Sequence, residues 1–253
     1  MNKFSYIFKY KILITRGAYI LCGIAGFFKI GSNGFKCKHK YIDMLNRMNI
    51  VKKHKEPYGR GIFLSKCCGL SHVWLAIKDI ENGRQPITRS IGNKKYTITY
   101  TGKIYNVDEL REEILNFKNI CFETKADTEV ILIGHLLFGE GFVKKLNGIF
   151  AYAIFDETEQ RLFLYRDRFG AKPLFYTIIG DVIIFTSEIK AIFKYEGLQK
   201  KIDICEFCEI FGLCPNKTYG KAIFKDVFEV LPGNYIWVGK TKMQQIKYWG
   251  LNG

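Results

Sequence analysis

Residues 22–28 read CGIAGFF. Ile24 to Phe28 are apolar apart from their small residues, the pattern of a short strand buried on both faces. Nothing in the packing of such a strand calls for a cysteine at its mouth. A cysteine there makes chemical sense as a first residue. Yet 21 residues precede Cys22.

Those residues carry Lys3, Lys9, Lys11 and Arg16 and no acid. Lys9, Lys11 and Arg16 interrupt the apolar region that a signal peptide would need, and Leu21 is not the small residue a lipoprotein cysteine would follow. Three accounts stand for residues 1–21. They are a propeptide cut to expose Cys22, a retained segment that leaves Cys22 acylated at nitrogen, or a start placed upstream of the true one. The last is favoured, because Leu21 can be encoded by TTG, an occasional bacterial start codon. The domain proper is then expected over residues 22–253.

The bulk composition is that of a folded chain. It has 253 residues, 48% hydrophobic and 25% charged, with 5 prolines, which argues against disorder. The net charge of +15 invites a nucleic-acid reading, but the lysines are scattered and no recognition motif accompanies them. No nucleic acid is expected as a partner. No run of about 18 apolar residues exists, so no membrane span is expected. The eight cysteines are read as reduced thiols in a cytoplasmic protein. Cys205 and Cys208, at i and i+3 on one face of a predicted helix, are read as core. Cys67 and Cys68 are expected on opposite sides of a strand. Cys214 lies close to the first pair, but no second Cys/His pair has zinc spacing, so no metal site is expected.

Further along, 41–51 (YIDMLNRMNIV) has helical periodicity, and GIFLS and GLSHVWLAI read as strands. KKYTITYTGKIYN (94–106) alternates as a strand should. NVDELREEIL is a predicted helix with Asn106 as cap and Glu109 reaching back, a capping box. DTEVILIGHLLFGEGFVKKL (127–146) reads as one helix, with Asp127 favoured at its start by the helix dipole. GIFAYAIFD, RLFLYRD, PLFYTIIG and DVIIFTSE follow as strands, with turns at ETEQ and Gly180–Asp181. DICEFCEIFG reads as a short helix, and KDVFEVLPGNYIWVG leads into a hairpin. Strands, two helices, then many strands describe a layered α+β domain.

CGIAGFF, GRQPI, GKIYNVDELRE, LNGIFAYAIFD, YRDRFGAKPLFY, SEIKAI and LPGNY, in that order, resemble the N-terminal glutaminase domain of glutamine-hydrolysing asparagine synthetases. These are class II glutamine amidotransferases among the N-terminal-nucleophile hydrolases. The resemblance runs from Cys22 to about Trp249. It implies a four-layer αββα sandwich of two antiparallel sheets between helical layers. It also implies glutamine as substrate, hydrolysed to glutamate and ammonia. No cofactor is implied in this domain. ATP and magnesium belong to the synthetase domain, which is expected to be missing here or to exist as a separate partner subunit.

The resemblance carries site residues over unevenly. Cys22 matches the nucleophile. Gly102 matches the glycine of NGEIYN, whose backbone helps hold the oxyanion, and Asp127 the aspartate that binds the substrate ammonium. Three positions depart. The oxyanion asparagine is Thr101, the motif glutamate is Lys103, and the carboxylate-gripping arginine of HxRL is Trp74. In addition, HRGPD has become HKEPY at 54–58. Lys103 either puts a like charge where an ammonium should bind, or takes over the substrate carboxylate while Asp127 holds the ammonium. The changed pocket leaves two readings, a glutaminase with altered substrate binding and a non-catalytic interaction module of the same fold. Simpler roles are expected for other residues: His72 packed inside a sheet, His54 solvated, Arg166 and Asp167 as an ion pair or turn scaffold.

Overall fold

A computed structural model describes residues 23–31, 34–35, 37–51, 59–74, 84–212 and 220–251. Cys22, His54, the HKEPY stretch and Cys214 lie outside the described residues. Among the described residues twelve strands form two six-stranded sheets. The first has the order β10-β8-β9-β1-β3-β2. Its members are β1 (Gly23–Lys29), β2 (Gly59–Leu64), β3 (Cys68–Trp74), β8 (Phe175–Ile179), β9 (Val182–Thr186) and β10 (Phe228–Glu229). The second has the order β12-β11-β7-β6-β5-β4. It contains β4 (Ile87–Ile91), β5 (Lys94–Ile104), β6 (Gly148–Asp156), β7 (Arg161–Arg166), β11 (Asn234–Val238) and β12 (Met243–Lys247). Every pairing is antiparallel.

Side-chain alternation sorts residues into layers. Ile24 and Phe28 of β1 face the second sheet and pack with Ala151, Ala153, Phe155, Leu162 and Leu164. Ala25 and Phe27 face the other way, onto Met44, Leu45 and Met48 of α1 (Lys38–Ile50). The outer face of the second sheet is covered by α2 (Val107–Phe117) and α3 (Asp127–Phe138), through Leu110, Ile114, Val130, Ile131 and Ile133. The result is the helix–sheet–sheet–helix sandwich expected above. Two short helices, α4 (Ile189–Ile192) and α5 (Ile204–Gly212), complete it. Among the described residues no helix is long and apolar enough to cross a membrane.

Several local expectations are corrected. The helix read over 127–146 is broken at Gly139, whose φ of 71° ends α3. A 3-10 turn, Glu140–Lys145, follows. Asn106 stands at the N-cap of α2 but makes no cap bond. Its side chain instead donates to Lys145 O at 3.0 Å and accepts from Asn147 N at 3.0 Å, tying down a loop about 40 residues away. Cys205 and Cys208 are exposed rather than core, because the buried face of α5 carries Glu206, paired with Lys221 at 3.1 Å. Cys67 and Cys68 are both buried, Cys67 in the bend that precedes β3.

His135 of α3 is buried against the rings of Phe142, Tyr152 and Tyr165. Its Nε2 lies 2.9 Å from Tyr152 Oη and its ring 4.9 Å from that of Tyr165. Burial pushes its pKa down to about 3 from 6.5. The unfolded chain therefore binds one more proton than the native protein between about pH 6.5 and 3, and stability falls as pH falls through that window. At full slope the loss is about 1.4 kcal/mol per pH unit. Urea unfolding at pH 6.5 and 4.5 should show His135→Gln losing about 2 kcal/mol less than wild type between the two. Equal losses would contradict a buried neutral imidazole.

Candidate active site

The two sheets meet in a defined direction. Phe28, near the end of β1, packs on Phe155 at 6.1 Å, and Phe155 is in register with Thr97. Thr99 Oγ1 donates to Ser71 O at 3.3 Å, and Ser71 is in register with Ala25. Across the sandwich β5 thus runs against β1. Thr101, Gly102 and Lys103 arrive at the end where β1 begins at Gly23 and β3 finishes at Trp74. The structure brings these residues and Asp127 to one end of the molecule.

The start of β1 is held firmly. Ile24 N donates to Ser187 Oγ at 3.0 Å, and Ile24 O accepts from Ser187 N at 2.9 Å and Thr186 Oγ1 at 3.1 Å. This places Ser187, the first residue of SEIKAI, against Ile24, one residue beyond the first described one.

The free edge of β5 is organised by two side chains. The β4 strand pairs with β5 only as far as Ile98. Beyond it, Tyr100 N donates to Gln85 Oε1 at 2.6 Å and Ile104 N to Asp127 Oδ2 at 3.1 Å. Strand alternation places the Gly102 N–H on that same edge, between two anchored neighbours. Gln85 also donates from Nε2 to Thr128 Oγ1 at 3.1 Å. One buried amide therefore couples the strand carrying Thr101 and Gly102 to the helix start carrying Asp127. Sequence reasoning missed Gln85. Its signal was its place in GRQPI, and its partners are distant in sequence.

Asp127 is the first residue of α3. Lys103 Nζ lies 3.1 Å from its Oδ2 and 3.3 Å from its Oδ1. Trp74 lies over Gly59, where a Cβ would fall 2.8 Å from the ring. The Trp74 ring stacks on His72, with centroids 6.2 Å apart and an 11° tilt. His72 is buried within the sheet, as expected.

The YRDRFG stretch is a turn scaffold. Arg166 pairs with Glu229 at 3.0 Å, not with Asp167, and donates to the carbonyls of Lys172, Gly170 and Val230. Asp167, fully buried, accepts from the backbone N–H groups of Phe150, Phe169, Ala171 and Lys172. Since Phe150 is in register with Gly102, this turn fixes the strand behind the site. A shallow 330 Å³ depression beside β4, lined by Arg84, Thr88, Arg89 and Glu123, contains none of the predicted site residues.

Residues 21–249 match the family of glutamine amidotransferase domains. The chain belongs to that family.

This amidotransferase domain is 36% identical over 231 residues to the glutamine-hydrolyzing asparagine synthetase 3 of Bacillus subtilis, covering 91% of the chain and 37% of that relative. It is 34% identical over 254 residues to the putative glutamine-hydrolyzing asparagine synthetase 2 of Methanocaldococcus jannaschii, covering 91% of the chain and 47% of the relative. The chain thus spans less than half the length of these relatives. Among solved structures, glutamine phosphoribosylpyrophosphate amidotransferase from B. subtilis shares the fold, with a TM-score of 0.63 at 18% identity over 90% of this chain and 49% of that one. The chain is thus a glutamine amidotransferase domain, similar in sequence to part of these asparagine synthetases and sharing its two-sheet sandwich fold with the phosphoribosylpyrophosphate enzyme.

Proposed function

We propose that this chain hydrolyses glutamine to glutamate and ammonia, with Cys22 as nucleophile and its own α-amino group as base. The observation that carries the reading is the edge of β5. There the Gly102 N–H stands between residues anchored by Gln85 and Asp127, at the end of the sandwich where β1 begins. Donors held in advance where an oxyanion develops are the main source of acyl-transfer catalysis.

In the proposed reaction the Cys22 amine takes the thiol proton and Sγ attacks the side-chain amide carbon. The Gly102 N–H and the Thr101 hydroxyl receive the oxyanion. The C–N bond breaks, ammonia leaves carrying the proton from the amine, and water hydrolyses the thioester to glutamate. Asp127, Lys103 and Trp74 line the region for the amino-acid end of the substrate. The chemistry needs no cofactor in this domain. Ammonia would pass to an ATP-using synthetase, covalently attached or a separate subunit, for amide synthesis. The six described cysteines are free thiols, which accords with a cytoplasmic setting.

The test is ammonia and glutamate release from glutamine, measured on the full chain and on protein beginning at Cys22, with intact mass fixing each N-terminus. Protein with a free Cys22 amine should turn over glutamine. A folded preparation beginning at Cys22 that releases no ammonia would reject the enzyme reading in favour of a non-catalytic module.

A further inference from the structure

The Asp127 carboxylate is mostly shielded, its side chain 15% exposed, whereas its partner Lys103 is a flexible side chain 46% exposed. Oδ2 is fixed by the backbone N–H of Ile104. Both oxygens lie within reach of one ammonium, that of Lys103. A carboxylate set into the floor of a site recognises a cationic head group, and here the chain supplies that head group itself. Lys103 stands next to Gly102 on β5, and its ammonium holds the carboxylate that a ligand ammonium would need if the ligand's amide lay against the Gly102 N–H.

From this we infer that Lys103 is a specificity-determining residue, an internal occupant of the Asp127 carboxylate that removes the advantage of an α-ammonium group in the substrate. The identity of the ligand rests on the glutaminase reading above. Specificity is a difference of affinities, set as much by what opposes one ligand as by what favours another. A ligand ammonium gains the Asp127 pair only by breaking the Lys103 pair, and the displaced lysine then repels it. An ω-amide without the α-amino group meets no such exchange. The site therefore treats glutamine and its des-amino analogue nearly alike. Trp74, which carries no charge, adds no compensating contact to the head group.

The alternative role for Lys103, a ligand for the α-carboxylate, predicts the opposite sign, since both amides carry that carboxylate. Calorimetric titration separates the two. The full chain with Cys22→Ala, which prevents turnover, is titrated with L-glutamine and with glutaramate, with and without Lys103→Gln. Lys103→Gln should tighten glutamine about fivefold, the scale of one partly exposed ion pair, and should not tighten glutaramate. Adding Asp127→Asn to Lys103→Gln should abolish the gain, since the two changes act on one interaction. The inference is overturned if Lys103→Gln weakens both amides, leaves glutamine unchanged, or if neither amide binds. A gain in glutamine affinity without ammonia release from the Cys22 protein would count against catalysis alone. Ammonia release without the gain would count against Lys103 alone.

Discussion

Replacing Cys22 with alanine is expected to lower glutamine hydrolysis by on the order of 10⁶, the scale on which loss of a catalytic nucleophile is felt. The size of the effect follows from how much chemistry one residue supplies. In the proposed reaction the thiol forms the covalent intermediate, and the amine of the same residue ionises it. Alanine keeps the amine and loses the nucleophile, so only binding and the oxyanion donors remain. Cys22→Ser is the sharper comparison. It keeps a nucleophilic atom in place, but a hydroxyl ionises far less readily than a thiol beside an amine of pKa about 8, so serine should also fall near the background. Coupled detection of ammonia, with melting curves to show that both variants fold, decides the matter. Activity within tenfold of wild type in Cys22→Ala would remove Cys22 from the mechanism and point to a different group for the reaction.

The sheets were legible where a strand carries its own pattern. KKYTITYTGKIYN alternates along its whole length, and the structure makes it β5, with threonines facing the sandwich interior and Tyr96, Ile98 and Tyr100 facing the helices. The β4 strand was not legible. It has five residues and its register is imposed by pairing with β5 rather than by its own sequence. Long apolar periodicity concealed the break at Gly139, because Phe142 and Val143 continue the hydrophobic face through the 3-10 turn. Asn106 shows a different limit. The capping-box spacing is present, yet the side chain is taken by Lys145 and Asn147, contacts that no local pattern reveals. The same holds for the exposed Cys205 and Cys208, whose helix buries a charged Glu206 against Lys221 instead.

At the site, the order of motifs located the region, but their mutual geometry did not follow from it. Lys103 and Asp127 lie 24 residues apart, and the sequence left open whether the lysine opposes or assists a ligand. The structure puts the two in contact because β5 ends where α3 starts, with Asp127 already bonded to Ile104 N. Gln85 is the larger omission. Its amide spans Tyr100 and Thr128, so it sets the separation between the Gly102 edge and the Asp127 carboxylate while touching neither. Such positioning roles are invisible to motif reading, because the residue's importance lies in what it holds apart.

Gly102→Ala is expected to cost about 2–5 kcal/mol of stability, the sum of a left-handed-type backbone penalty and an overpacking penalty. Gly102 has φ of 150°, a conformation that L side chains rarely adopt. A Cβ there would fall 2.2 Å from Ile149 O and 2.7 Å from Phe150 Cα. Those are backbone atoms of the paired strand β6, which cannot rotate away as a side chain would. Nor can β6 withdraw, because Asp167 holds Phe150 N from behind. Relief must come from β5, and β5 is pinned on either side of Gly102 by Gln85 and Asp127. For a domain of this size about 4 kcal/mol corresponds to a fall of roughly 10 °C in Tm. Melting within about 2 °C of wild type would show that the strand is softer than its contacts require. Activity should fall further than folding does. At 20 °C the variant should remain largely folded, since total stabilities run to about 5–15 kcal/mol. Even so, a shift of β5 that relieves the clash turns the residue-102 N–H away from the place proposed for the oxyanion. Loss of one such donor lowers kcat by about 10²–10³. A Gly102→Ala protein that melts early yet retains wild-type kcat at 20 °C would separate the two roles and assign the oxyanion to Thr101 alone.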